Sequence, residues 1–381
     1  MTTTAGEIDL RGDEPLYTPP EERIPFRSVD PADAWPLIGA GLSSLCLTWL
    51  IYERLTPLTG TIGFGIAWYA TFLLIAWFVA RANHDKLRAR DQVVRIVMWS
   101  GGLALIVPLV AILGYIVLKG YHALHASFFT KDERFVGSLD KGTSGGARHA
   151  IIGTLEQVGI AMCISVPLGI TTALYLNEIG GRLARPVRTI VDAMSALPSI
   201  VAGLFIYTSF VVVINHGQQN GLAGGLALAV MMLPTVTRTS EIVLRLVPGG
   251  LREAGLALGA TDWRTTRNVV LPTARTGLVT AVILGLARVI GETAPLLLTI
   301  GGSRFVNWNV FKGQQSSLVL FVYNIFHTQT TAEQWKRGWT GALVLILLVL
   351  VLFVTARVIG GRGPAHIGRI KRWRLARKGL A

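Results

Sequence analysis

The chain has 381 residues, of which 51% are hydrophobic and only 15% charged, and its mean hydropathy is +0.51. That balance excludes a soluble globular domain and a disordered polyelectrolyte, because so few charges cannot keep so much apolar surface in water. The net charge of +14 is large, but its placement along the chain, given below, accounts for it without a nucleic-acid-binding module.

Residues 1–34 are polar, with 8 acidic against 3 basic residues and Pro19-Pro20 among them. They read as a disordered tail, with no cleavable signal peptide. Eight apolar segments follow, at 35–52, 62–80, 93–118, 149–176, 189–215, 221–240, 272–301 and 338–360. Each is read as a membrane span, since a helix needs about 20 apolar residues to cross a bilayer. The first two form an N-terminal hairpin, whose second segment carries Trp68, Tyr69 and Trp77 as interfacial anchors. This hairpin is read as a lipid-facing element, with a regulatory or partner contact as the alternative. Cys46 and Cys163 both fall inside apolar segments and are expected to act as small packing residues.

The loops on alternate sides differ sharply in basic residues, 25 Lys and Arg on one side against 10 on the other. The positive-inside rule places the richer side in the cytoplasm, and an even number of spans then puts both termini there. The basic stretch from Arg362 to Lys378 fits anionic headgroups or a partner surface. On the outer side, the apolar run 318–326 is too short to cross and has Trp308 and Trp335 near it, so it reads as an amphipathic or re-entrant helix.

No energy-converting chemistry is visible. A phosphate-binding loop needs a lysine directly after its second glycine, and the nearest approach, Gly137-Ser138-Leu139-Asp140-Lys141-Gly142-Thr143, lacks it. The sequence holds no H-E-x-x-H, no G-x-S-x-G and no paired carboxylates on one helix face. The chain is expected to be a non-catalytic subunit.

The stretch from Glu253 to Pro272 reads Glu-Ala-Gly-Leu-Ala-Leu-Gly, then nine residues, then Val-Val-Leu-Pro. Pro248-Gly249-Gly250 ends the preceding helix, and Leu251 to Leu258 can form two turns. Gly259 suits a left-handed helix end, Thr261 an N-cap, and Asp262 the positive end of a second helix. The spacing resembles the E-A-A-x3-G-x9-I-x-L-P loop of ABC importer permeases, with Gly255 in place of the second alanine and Val269 in place of isoleucine. That resemblance implies that Glu253, Ala254, Gly255, Gly259, Leu271 and Pro272 belong to a coupling loop, 241–271, which docks on a separate ATPase subunit.

Three further motifs resemble phosphate permeases of the PstA type. They are Ala287-Arg288-Val289-Ile290-Gly291-Glu292-Thr293-Ala294-Pro295-Leu296-Leu297, Pro198-Ser199-Ile200-Val201-Ala202-Gly203-Leu204-Phe205, and Pro234-Thr235-Val236-Thr237-Arg238-Thr239-Ser240-Glu241. The resemblance covers the last 200 or so residues and not the first 92. It implies an all-α integral membrane protein with eight transmembrane helices: a six-helix type I ABC importer core over 93–360, preceded by the extra hairpin and basic loop of 35–92 and followed by a basic tail, 361–381. It also implies a PstC-like permease partner, two copies of an ATP-binding subunit, an extracytoplasmic phosphate-binding protein and a cell-membrane location. ATP and Mg would sit on the ATPase, with no cofactor in this chain. A PstC-like role, or a permease for molybdate or sulfate, stays open as an alternative. A stand-alone channel or secondary transporter would need no ATPase-docking loop.

An arginine near the middle of a span costs about 2.5–3.5 kcal/mol on insertion scales and needs a partner or an aqueous cavity. Arg288 and Glu292 are four apart, so on a continuous helix they can pair. Two readings remain open here: a structural ion pair, or a translocation path in which Arg288 meets the anion and Glu292 controls it. Arg238 and Thr293 are further path candidates, Arg238 being equally suited to anchor the inner end of its span.

Overall fold

The computed structural model describes residues 31–56, 60–83, 86–137, 140–328 and 331–360. Of the disordered tail expected at 1–34, residues 1–30 lie outside them and 31–34 instead open the first helix; the tail expected at 361–381 also lies outside them. Among the described residues all regular structure is helical, apart from one isolated bridge between Gly301 and Gln315. The chain divides into two compact units, 1–110 and 111–381.

In the first unit, helix α1 (Pro31–Trp49) runs on through a π-helical turn, Leu50–Leu55, and packs against α2 (Thr61–Asn83). Ser44 and Thr48 are buried on α1, and Ala76 and Ala80 on α2, where small side chains let helices approach. Tyr52 meets Phe64 edge to ring. Tyr69 shares a 2.6 Å hydrogen bond with Ser100 on α3 (Lys86–Gly120). Cys46 is exposed rather than packed inside, and so is Cys163 in the second unit.

The second unit is built around α8 (Gly221–Arg245), whose most apolar stretch is two-thirds buried. It lies against α5 (Arg148–Leu174) and α11 (Leu271–Val289). Glycines set those close approaches. A Cβ on Gly169 or Gly285 would press into Val236, and one on Gly225 into Ile160. Ser165 spans the α5–α8 seam by donating to the Ala229 carbonyl at 3.0 Å.

Seven described helices are long and apolar enough to cross a membrane, and a bent pair makes an eighth crossing if counted as one span. That pair corrects the straight span expected at 189–215. It consists of α6 (Ala184–Ala196) and α7 (Ser199–Ile206, continued by a π turn to Val212), bent by 107°. Pro198 has no N–H for the ladder and holds Leu197 extended, while Arg185, Arg188 and Asp192 make α6 amphipathic rather than lipid-soluble.

The span expected over 272–301 is also broken. Helix α11 ends at Val289, and α12 (Ala294–Thr299) starts anew after Gly291 with Pro295 in its first turn. Helix α13 (Leu318–Thr328) is short, as expected, but it is a core element: Leu318, Val319, Leu320, Phe321 and Ile325 are buried against α14 (Ala332–Gly360) and α5.

At the end of the unit that holds α13, the short helix α4 (Ala126–Thr130) and its following loop are tied to α14. Arg337, 1% exposed, donates to the Ser144 carbonyl at 3.0 Å and stands 3.6 Å from Glu133. Burial holds the Glu133 carboxyl above the usual carboxylate range, against the opposing pull of Arg337 and Arg304.

Candidate functional site

Two groups of candidate residues lie at different levels of the second unit. The first is the turn between α8 and α11. Pro248 ends α8, and α9 (Gly249–Ala257) follows. Gly259 has φ +80°, a left-handed conformation in which a Cβ is strained, although open space surrounds it. The Thr261 hydroxyl accepts from the Arg264 N–H, capping α10 (Asp262–Thr265), and Asp262 occupies the first turn. A π turn, Thr266–Val270, then leads into Leu271 and Pro272 at the start of α11. The helix-turn-helix read from the sequence is present with its caps.

This turn exposes apolar side chains. Leu258 is 89% exposed and Trp263 65%, with Leu251 and Leu256 beside them on α9. Glu253 and Ala254 are exposed on the same short helix. Gly255 faces inward, where a Cβ would stand 3.0 Å from the Thr265 side chain, so α9 and α10 touch there.

The second group lies along α8 and α11. The expected Arg288–Glu292 pairing is not met: Arg288 is one residue before the end of α11, and Glu292 lies in the break before α12. With the helix interrupted, the four-residue spacing no longer puts the side chains on one face. Arg288 is exposed and donates to the Thr235 hydroxyl of α8 at 3.4 Å. Among the described residues no carboxylate pairs with it. Arg238, one turn beyond Thr235 on α8, pairs instead with Asp192 of α6. Thr293 sits at the N-terminal boundary of α12, partly exposed, and its side chain does not cap the helix. The break is held in place from α7, where Gly203 lies so close to Pro295 that a Cβ would meet its backbone.

The sequence did not reveal the acidic partners. Asp192 was hidden inside a span read as continuous. Glu241 of α8 is buried and accepts from both Arg188 of α6, at 2.7 Å, and Arg245, at 2.5 Å. Glu178, at the end of α5, accepts from Arg252 of α9. The available signal was the charge-rich stretch Arg182–Asp192 next to Pro198, which does not fit a lipid-facing helix.

Residues 165–362 match the family model described as "Binding-protein-dependent transport system inner membrane component". The phosphate transport system permease protein PstA 1 of Mycobacterium tuberculosis (strain CDC 1551 / Oshkosh) is 39% identical over 276 residues, 72% of this chain and 90% of that protein. PstA of Mycobacterium leprae (strain TN) is 40% identical over 71% of this chain and 88% of that protein. PstA of Haemophilus influenzae (strain ATCC 51907 / DSM 11121 / KW20 / Rd) is 34% identical over 74% and 95%. Among solved structures, an inward-facing MetNI methionine ABC transporter aligns with a TM-score of 0.45 at 23% identity, over 57% of this chain and 95% of that one. By the matched family model and these identities, the chain is a multi-pass membrane permease subunit that belongs to the binding-protein-dependent transport system inner membrane components, among the PstA-type permeases.

Proposed function

We propose that this subunit forms half of the translocation path of an ATP-driven phosphate importer. The observation that carries the reading is Arg288: an exposed guanidinium on a spanning helix, touching one neutral hydroxyl and paired with no described carboxylate. Arg288 stands in the last turn of α11, just before the break, where a guanidinium without a carboxylate is satisfied by water, an anion or a partner subunit. Phosphate carries between about one and two negative charges near neutral pH, and a guanidinium fork matches its oxygens. Thr235 adds a neutral donor beside Arg288. Arg238 and Thr293 line the same route, with Arg238 held by Asp192, and Glu292 stands in the hinge that follows Arg288.

The exposed tip around Leu258 and Trp263 docks on an ATP-binding subunit. Two copies of that subunit bind ATP and Mg and supply the energy, while this chain catalyses nothing. A PstC-like permease forms the other half of the path, and an extracytoplasmic binding protein delivers the anion. The relatives' phosphate-permease names support this assignment of substrate. The excess of Lys and Arg on the coupling-loop side puts that side, and both termini, in the cytoplasm.

The deciding measurement is phosphate uptake in cells lacking this gene, restored by the wild-type chain. Restored transport of molybdate or sulfate with no change in phosphate uptake would overturn the substrate. Orientation is checked with a cysteine placed at Asn83, which should resist a membrane-impermeant thiol reagent in intact cells. Rapid labelling there would reverse it.

A further inference from the structure

Arg252 binds four acceptors on two other elements. Its Nη2 and Nε donate to the two carboxylate oxygens of Glu178, at 2.8 and 3.1 Å. Nη2 also donates to the Leu244 carbonyl at 3.0 Å, and Nη1 to the Val247 carbonyl at 2.8 Å. Glu178 lies in the π turn that ends α5, Leu244 in the last turn of α8 and Val247 just beyond it. One side chain of α9 therefore grips the ends of both helices that form the central seam of the unit. The grip is largely shielded, with Glu178 12% and Arg252 25% exposed at the side chain.

The contacts between α9 and the rest of the unit are otherwise slight. No residue of α9 is buried, and it meets α10 where Gly255 faces the Thr265 side chain. A helix with so little packing cannot push or pull its neighbours through apolar contact. A charged fork that binds two carboxylate oxygens and two carbonyls can, because breaking it leaves shielded charges behind.

We propose that Arg252 and Glu178 form the strut through which movement of α9 is transmitted to α5 and α8. This rests on the reading of the α9 tip as the ATPase-docking element and names the residues that carry its motion inward. Arg252 is a positioning residue in this scheme and touches neither nucleotide nor anion. Only arginine suits the position, because lysine offers its three donors from a single atom and cannot reach carboxylate and carbonyls together.

The test uses the full transporter in proteoliposomes and reads phosphate moved per ATP hydrolysed. Arg252→Lys keeps the charge and Glu178→Gln keeps size and one acceptor oxygen. Each should assemble with the ATPase subunit, and each should lower the transport-to-hydrolysis ratio roughly tenfold while hydrolysis continues. A ratio equal to wild type in either assembled variant would overturn the strut. Failure of both variants to assemble would also overturn it, by showing that the clamp serves folding alone. Failure of the docking reading looks different: the ATPase subunit would then copurify undiminished with Leu258→Asp.

Discussion

Arg252 and Arg288 bring the same guanidinium into opposite circumstances. Arg252 is saturated by one carboxylate and two carbonyls at the end of two helices. Arg288 is exposed on a span with a single 3.4 Å contact to a hydroxyl. A filled coordination set resists movement and suits a mechanical joint. An open set, at a cost in solvation, suits a ligand that arrives and leaves. Arg238 is intermediate, paired with Asp192 but with both partners nearly half exposed.

The sharpest way to break the contrast is Arg288→Gln. The complex should assemble, and uptake should fall roughly 10- to 100-fold, as expected from loss of a charged hydrogen bond to the anion. Uptake above half of wild type at matched expression would remove Arg288 from the path. Exchanging the residues, Arg288→Glu with Glu292→Arg, should not restore transport, because the interrupted helix keeps them from forming a pair; recovery to wild-type uptake would show that they lock together after all.

Gly259→Val tests the mechanical region without touching Arg252. A β-branched residue at φ +80° costs on the order of 1–3 kcal/mol, so the turn should open and uptake should fall about tenfold while membrane insertion is unchanged. Wild-type uptake would mean that this turn does not set the docking geometry.

Asp192→Asn addresses the intermediate case. An exposed pair is worth about 0.2–1 kcal/mol, so uptake should change by no more than about fivefold. A loss as deep as that of Arg288→Gln would promote Arg238 to an equal role in the path.

The smallest effect is expected from Gly255→Ala. The added Cβ meets Thr265 at 3.0 Å, and a small rotation of that side chain relieves it, so the thermal midpoint of the purified complex should fall by about 2 °C or less. A larger drop would show that α9 is seated more rigidly than its lack of buried residues suggests.

Composition and hydropathy were enough to identify a multi-pass helical membrane protein, because the requirement for long apolar runs is local and leaves a direct trace in the sequence. The same holds for the turn at Gly259. Its caps and its left-handed glycine are decided by neighbours within a few residues, so Pro248, Gly259, Thr261 and Asp262 could be placed before any packing was known. Helix breaks were less legible. Pro198 and Pro295 each gave notice, but proline is tolerated inside other helices of this chain, at Pro108, Pro167 and Pro234, so the residue alone did not decide the outcome. What decided it was tertiary: the charged face of α6 turned toward Arg238 and Glu241, and Gly203 admitted the backbone of Pro295. The partners of the arginines were settled in the same way. Four-residue spacing pointed Arg288 at Glu292, whereas the fold brought Glu178 to Arg252 across 74 residues and Asp192 to Arg238 across a bend. Charges take whichever counter-charge packing brings near, and that choice is made by the assembled helices rather than by the order of residues along any one of them.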